Sequence, residues 1–438
     1  MARSSRSRTR LAIVTGACAL SAALLPLLEA PASAAPPAAG TAVAQQGAAY
    51  LTTLINSSGF VPDAGGAADL GSTVQAILAL HAAGTGKSAA QAAEAYVDAH
   101  ADAYLGTAGP TTDDPGRLAR LILVAVATGE DPAAYGATSI DLVARLVATQ
   151  RTTGTDAGLF GAGDPTFDGA FRQGLALAAL GAAGVTNTAG TGWLVGQQCP
   201  DGGWEAYRSD TSVACTPPDP VNFVGEDTNS TALAAEGLVA QGVTVPTSPV
   251  AFLQGLQATD GGFGFVGGAS DPDSTAVVIQ ALIALGQDPA SPTWTKGSAT
   301  PFTALASFQL GCSTSTPGAF YATFNPGVAN LVATLDAVPA AAGEPFPLEA
   351  STLTTEAANS CAVAPPTATP TPTASPTASV APTTASAAPT ASVQGDSATL
   401  PATGGSDTAL LLAFAGLCLV SGATAVGFAR RRHGAHQR

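Results

Sequence analysis

Gln198-Cys199-Pro200-Asp201-Gly202-Gly203-Trp204 and Gln257-Ala258-Thr259-Asp260-Gly261-Gly262-Phe263 are two copies of one pattern. In each, a glutamine closes an apolar helical stretch, Asp-Gly-Gly follows, and an aromatic residue ends the turn. Asp accepts turn conformations and Gly supplies positive φ without steric cost, so the pattern reads as helix, tight turn, packing aromatic. Trp204 and Phe263 are therefore expected to be packing staples. Degenerate copies stand at Gln150 with Gly158-Leu159-Phe160 and at Gln309 with Gly318-Ala319-Phe320.

Working outward, a second apolar helix follows each turn. The stretches beginning at Ser72, Arg117, Gln173, Ser230 and Ser274 close at Gly84, Gly129, Gly184, Gly242 and Gly286. A weaker sixth begins at Gly327 and closes near Pro339, giving spacings of 45, 55, 58, 44 and 53 residues. Periods of this size mark a repeat protein whose unit is one supersecondary element. The partner helices upstream are expected at 47–55, 89–99, 139–150, 192–198, 250–257 and 302–309. Strand signals are scarce, so the fold class is all-α. Six helical hairpins can close into a double-layered barrel, an (α/α)6 toroid, in which every unit has a neighbour to cover its apolar face.

Asp69, Asp114, Asp227 and Asp271 lie fifteen residues before a closing glycine, and Asp168 lies sixteen before one. Pro follows at Pro115 and Pro272, and Asp at N-cap with Pro at N1 is a strong helix start. Asp131-Pro132 and Asp288-Pro289 read likewise as starts in the other layer. The five carboxylates should gather at one end of the inner barrel. There they cap helices or, alternatively, form a rim for a cation or cationic ligand.

Both ends of the chain carry addresses. Residues 1–34 have arginines at Arg3, Arg6, Arg8 and Arg10, an apolar run, and Ala32-Ser33-Ala34, the pattern of a secretory signal peptide. The globular repeat region is expected over 41–363, and a Pro/Thr/Ala/Ser-rich stalk over 364–399. At ~3.1 Å per residue those 36 residues reach roughly 110 Å. Residues 400–438 open with Leu400-Pro401-Ala402-Thr403-Gly404, continue with an apolar run over 409–429 long enough to span a bilayer, and carry Arg430-Arg431-Arg432. Pentapeptide, span and basic tail in this order resemble the LPxTG cell-wall sorting signal. That resemblance implies cleavage between Thr403 and Gly404 by a sortase, transfer to peptidoglycan, and a precursor held in the membrane only by the sorting helix.

Removing both ends leaves 8 of 16 Lys+Arg and 29 of 31 Asp+Glu, a net charge near −21. So acidic a surface repels nucleic acid and anionic lipid, which excludes both as partners. Four cysteines remain: Cys199, Cys215, Cys312 and Cys361. An even number outside the cell points to two disulfides. Sequence order favours Cys199–Cys215 and Cys312–Cys361 among three pairings. A zinc site would need histidines, and His81 and His100 lie far from every cysteine, so no metal is expected. His81, within an Ala/Leu helix, reads as structural.

The Asp-Gly-Gly-aromatic turns and the Asp-x-x-Ser-Thr-Ala helices resemble the terpene-cyclase/protein-prenyltransferase repeat superfamily (squalene cyclase-like, or prenyltransferase/squalene oxidase, repeats). Its domains are (α/α)6 toroids, and the resemblance covers about 310 residues. The prenyltransferase zinc cluster and the thioester Gly-Cys-Gly-Glu-Gln motif are both missing from the toroid. Class II cyclases protonate an alkene with the middle Asp of Asp-x-Asp-Asp-Thr-Ala. Asp271-Pro272-Asp273-Ser274-Thr275-Ala276 puts Asp273 on the acid position, with Ser274 where the last Asp belongs. Those cyclases build their cavity between two α-barrels, and this chain carries one. The nearer analogy is the superfamily's secreted carriers. The resemblance thus implies a non-catalytic module for a small-molecule ligand, with no cofactor evident. A structural or adhesive surface domain is the first alternative, and a cyclase using Asp273 is the second.

Overall fold

The structure, a computed structural model, describes residues 38–106 and 113–361. The expected signal peptide, stalk, sorting pentapeptide and membrane span lie outside the described residues. Six upstream helices are α1 (Ala38–Leu54), α3 (Lys87–Leu105), α5 (Leu142–Ala148), α7 (Thr188–Gly196), α9 (Val250–Leu256) and α11 (Pro301–Ser307). Their downstream partners are α2 (Leu70–Ala83), α4 (Pro115–Thr128), α6 (Ala170–Ala182), α8 (Thr228–Ala240), α10 (Pro272–Ala284) and α12 (Leu331–Ala342). Each downstream helix packs on the next, and α12 returns onto both α2 and α1. The ring is closed: an (α/α)6 toroid, with the downstream helices as its inner wall.

The inner helices are apolar nearly all round, as helices covered on every side must be. Small residues set their spacing. A Cβ on Gly174 of α6 would stand 2.1 Å from the Leu233 carbonyl oxygen, and one on Gly237 of α8 would stand 2.4 Å from that of Gly174. The pair α6 and α8 therefore touches backbone to backbone.

The turn motif has a structural job in each of the four units that carry it. Its glutamine amide donates to a turn carbonyl and also reaches the next repeat. Gln198 bonds the carbonyls of Gly202 and Thr247 at 3.2 and 2.6 Å, and Gln257 bonds those of Gly261 and Trp294 at 2.9 and 2.8 Å. Gln309 bonds Gly318 and, at 2.8 Å, the Val43 carbonyl of the first unit, so it helps to close the ring. Gly202, at φ 101°, lets the turn approach: a Cβ there would meet the Ser248 carbonyl oxygen at 2.6 Å. The aromatic N–H is then held by the inner helix. Thr231 accepts from Trp204 and Thr275 from Phe263 at 3.0 Å, and Thr334 accepts from Phe320 at 2.9 Å. Trp204, Phe263 and Phe320 are fully buried. Two short antiparallel ladders finish these turns: β1 (Trp204–Glu205) on β2 (Glu226–Asp227), and β3 (Phe320–Tyr321) on β4 (Ala329–Asn330).

Asp69, Asp114, Asp227 and Asp271 cap α2, α4, α8 and α10 by accepting backbone N–H bonds, and Asn330 does the same for α12. Three starts differ from expectation. Asp168 is not an N-cap: Gly169 takes that place, and Asp168 instead accepts from the N–H groups of Gly163 and Asp164. Asp131-Pro132 begins a turn, and α5 starts ten residues later behind Asp141. Asp288-Pro289 likewise begins a turn, and α11 starts behind Thr300 with a capping box. Asp-Pro serves a type I turn as well as a helix.

After α12 the chain runs back as a strap over residues 343–361. Phe346 and Leu348 pack on the core, and Ser351 N–H donates to the Ala127 carbonyl at the end of α4. His81 Nδ1 meets Ser351 Oγ at 2.9 Å while its Nε2 meets Glu94 at 2.7 Å, so this buried histidine ties strap to wall. Disulfides join Cys199 to Cys215 and Cys312 to Cys361, and the second fixes the strap's end.

Candidate functional site

Counted from their first residues, the inner helices turn positions two, six and nine toward the axis, an i, i+4, i+7 face. At the second position stand Phe171, Asn229 and Asp273, at the capped end. The sixth supplies Gln75, Arg120, Leu175, Leu233, Val277 and Asp336. The ninth supplies Leu78, Leu123, Gln280 and Pro339, and Phe346 of the strap joins the wall. Together they enclose a cavity of about 120 Å³.

Two carboxyls and one guanidinium share this space. Burial pushes Asp273 well above the carboxylate range, and the charges of Asp336 and Asp271 push it further. Asp273 Oδ1 is buried without a hydrogen-bond partner. Burial raises Asp336 as well; Arg120 opposes that rise and Asp271 adds to it. Among the described residues no ion pair within 4.0 Å joins Arg120 to either carboxylate. At the ninth position of α8, Glu236 is 1% exposed, and burial holds it far above the usual range.

The five rim aspartates do not converge on one point. Asp69 receives Ser72 N–H at 3.0 Å, Asp114 receives Gly116 at 2.7 Å, Asp227 receives Ser230 at 2.6 Å, and Asp271 receives Ser274 at 2.7 Å. Asp168 pairs with Arg172 at 2.9 Å, and Arg172 also reaches Asp114 at 3.5 Å. Each is engaged by its own helix start or loop. Only Asp271 contributes to the axial site, through its charge. Of the residues singled out by sequence, Asp273 alone lines the cavity. Asp336, Arg120, Gln75, Asn229 and Gln280 were missed, although counting two, six and nine from each cap would have found them. Cys199, Glu205 and Cys215 form a close group of metal-ligand types, but both sulfurs are in a disulfide.

Residues 392–434 match the family model of the LPXTG cell wall anchor motif. This is a secreted, peptidoglycan-anchored cell-wall protein. The motif, which contains Leu400, Pro401, Ala402, Thr403 and Gly404, implies sortase processing. No curated protein matches the sequence. Among solved structures the wall protein is similar to a protein from Actinoplanes, with a TM-score of 0.44 and 16% identity over 69% of this chain and 99% of that one. It is also similar to an aspartate-to-alanine variant of the type II terpene cyclase MstE from Scytonema, solved with its product merosterolic acid A. That match has a TM-score of 0.42 and 14% identity over 70% and 96% of the two chains. Likeness at this level says nothing of activity.

Proposed function

We propose that the toroid is a non-catalytic binding module whose small ligand seats in the axial cavity. In this reading residues 1–34 direct export and residues 364–399 act as the spacer to the wall. The observation that supports it is the cavity itself, where hydrocarbon walls surround a few convergent polar groups, the usual make-up of a ligand site. Its 120 Å³ is well below the ~300–1,000 Å³ of drug-sized pockets and close to the ~150 Å³ that holds benzene. The ligand, or the part of it that enters, is therefore small.

The test uses protein released from walls by a muralytic enzyme. Native mass spectrometry should find a small molecule retained by the toroid. Adding it back to stripped protein should stabilise the fold by about 2.7 kcal/mol at a hundred times its dissociation constant. A toroid that carries no small molecule, and that no compound in a broad metabolite panel stabilises, would return the chain to the structural or adhesive alternative.

A second reading has one observation behind it. Asp273 holds the position of the cyclase acid, and burial raises its carboxyl well above the usual range, the direction that proton donation needs. Against it stand the cavity's size and its two aromatic wall residues, Phe171 and Phe346. Squalene, oxidosqualene and geranylgeranyl diphosphate should all come through unchanged after prolonged incubation. A cyclised product that disappears in Asp273→Asn would make the toroid an enzyme.

A further inference from the structure

We propose that the axial cavity selects a compact organic cation, a primary ammonium on a short hydrocarbon, with Asp273 and Asp336 as its counter-charges. This deepens the binding-module reading and rests on it. The first ground is the polarity of the wall. Gln75 Nε2 is turned to the Gly71 carbonyl and Gln280 Nε2 is bonded to the Glu344 carbonyl at 2.8 Å. One N–H of each amide is engaged there, and each side chain keeps its oxygen. Asp273 Oδ1 is buried without a partner, so the wall offers a carboxyl oxygen and two amide oxygens beside the N–H groups of Arg120 and Asn229. An ammonium group brings three donors and no acceptor.

The second ground is charge. Asp336 and Asp273 line the cavity and Asp271 stands behind them, whereas Arg120 is the single cation among the lining residues. Arg120 sits on α4 and interacts with the Tyr104 hydroxyl, without closing an ion pair to either acid. A cation offsets the repulsion that these buried carboxyls exert on one another and an anion adds to it, in a poorly screened space where such differences are felt strongly. The third ground is size. Leu78, Leu123, Leu175 and Val277 leave room for a hydrocarbon of a few carbons, by the benzene comparison about six heavy atoms.

Three isosteric probes on the wall-released protein decide it: n-butylammonium, n-butanol and butyrate, each followed by calorimetry and by melting temperature. We expect n-butylammonium alone to bind and to raise the melting temperature. Its affinity should fall at least tenfold in Asp336→Asn and in Asp273→Asn, which keep the side-chain shape. If butanol or butyrate binds as well as the amine, the cation assignment is wrong while the binding-module reading stands. If none of the three binds, the cation assignment is wrong, and the binding-module reading falls with it only if the retained-molecule and metabolite-panel tests are also negative. An amine that binds both variants as tightly as wild type lies outside the cavity, and the proposal is overturned. Should either variant fail to fold, the three-probe comparison on the wild type still decides the sign of the charge selected.

Discussion

At the scale of single residues, the acids off the surface control how the fold responds to pH. Burial and the neighbouring Asp201 raise Glu226 from its ordinary 4.5 to about 8, and burial raises Asp227 to about 7. Burial raises Glu236 well above 4.5, with the Phe346 backbone acting in the other direction. A carboxyl that holds its proton more tightly folded than unfolded adds stability below its unfolded value, and that stability is lost as pH rises through the folded value. The window here opens near pH 4.5 and extends to about 8. The melting temperature should therefore fall steadily from pH 5 to pH 8, the reverse of ordinary acid denaturation. Glu236→Gln removes one of these groups, so its melting temperature should gain on wild type as pH rises and match it near pH 5. Parallel curves for the two proteins would show that folding does not raise Glu236. Nothing in the sequence around Glu236 announced this: Ala-Glu-Gly in an apolar helix looks like any exposed charge until the ring closes over it.

Among elements, the turn motif shows why a repeat could be read at all. Gln, Gly and the aromatic residue each answer a local need that recurs in four of the six units: a carbonyl to satisfy, a close approach, a gap between layers. Such needs leave residues at fixed offsets, and sequence reading finds offsets. Gln257 makes the point measurable. Its amide serves two buried carbonyls in successive units, so Gln257→Ala should cost about 1–3 kcal/mol, read from the shift in urea midpoint. A loss near zero would mean that water replaces the amide there. Where a unit departs from the offset, reading fails. Asp168 lies sixteen residues before its glycine, and the extra residue is Gly169 in the capping place. The sixth unit opens with Asn330 in place of Asp, and Asp336 stands at the same offset behind it as Arg120 behind Asp114. Axial side chains share an offset from the cap but no residue type, which is why the repeat was seen and the cavity was missed.

For the whole molecule, the unforeseen part is the strap. Pro345 and Pro347 break any helical period, and residues 343–361 have no counterpart in the other units. Yet Phe346 closes part of the cavity wall and Cys361 bonds back to Cys312 across 49 residues. Under the chain-entropy model a loop of that length is worth about 4 kcal/mol. The Cys361→Ser variant should lose stability of that order, with equilibrium unfolding as the check. The disulfide also decides how the domain carries mechanical load. The wall holds this protein by its C-terminus, so tension from shear or from a bound neighbour enters at Cys361. With the bridge intact, the pull passes through sulfur into the α11 turn, and the strap between Gly343 and Cys361 carries none of it. Reduced, the same pull would peel the strap from its end, drawing Ser351 off His81 and then Phe346 out of the cavity wall. In a force spectrometer the oxidised protein should yield in one step. A thiol reductant should add an earlier, low-force extension of less than about 65 Å, the reach of nineteen extended residues. The bridge is a mechanical shunt that keeps the interior closed while the surface is under strain.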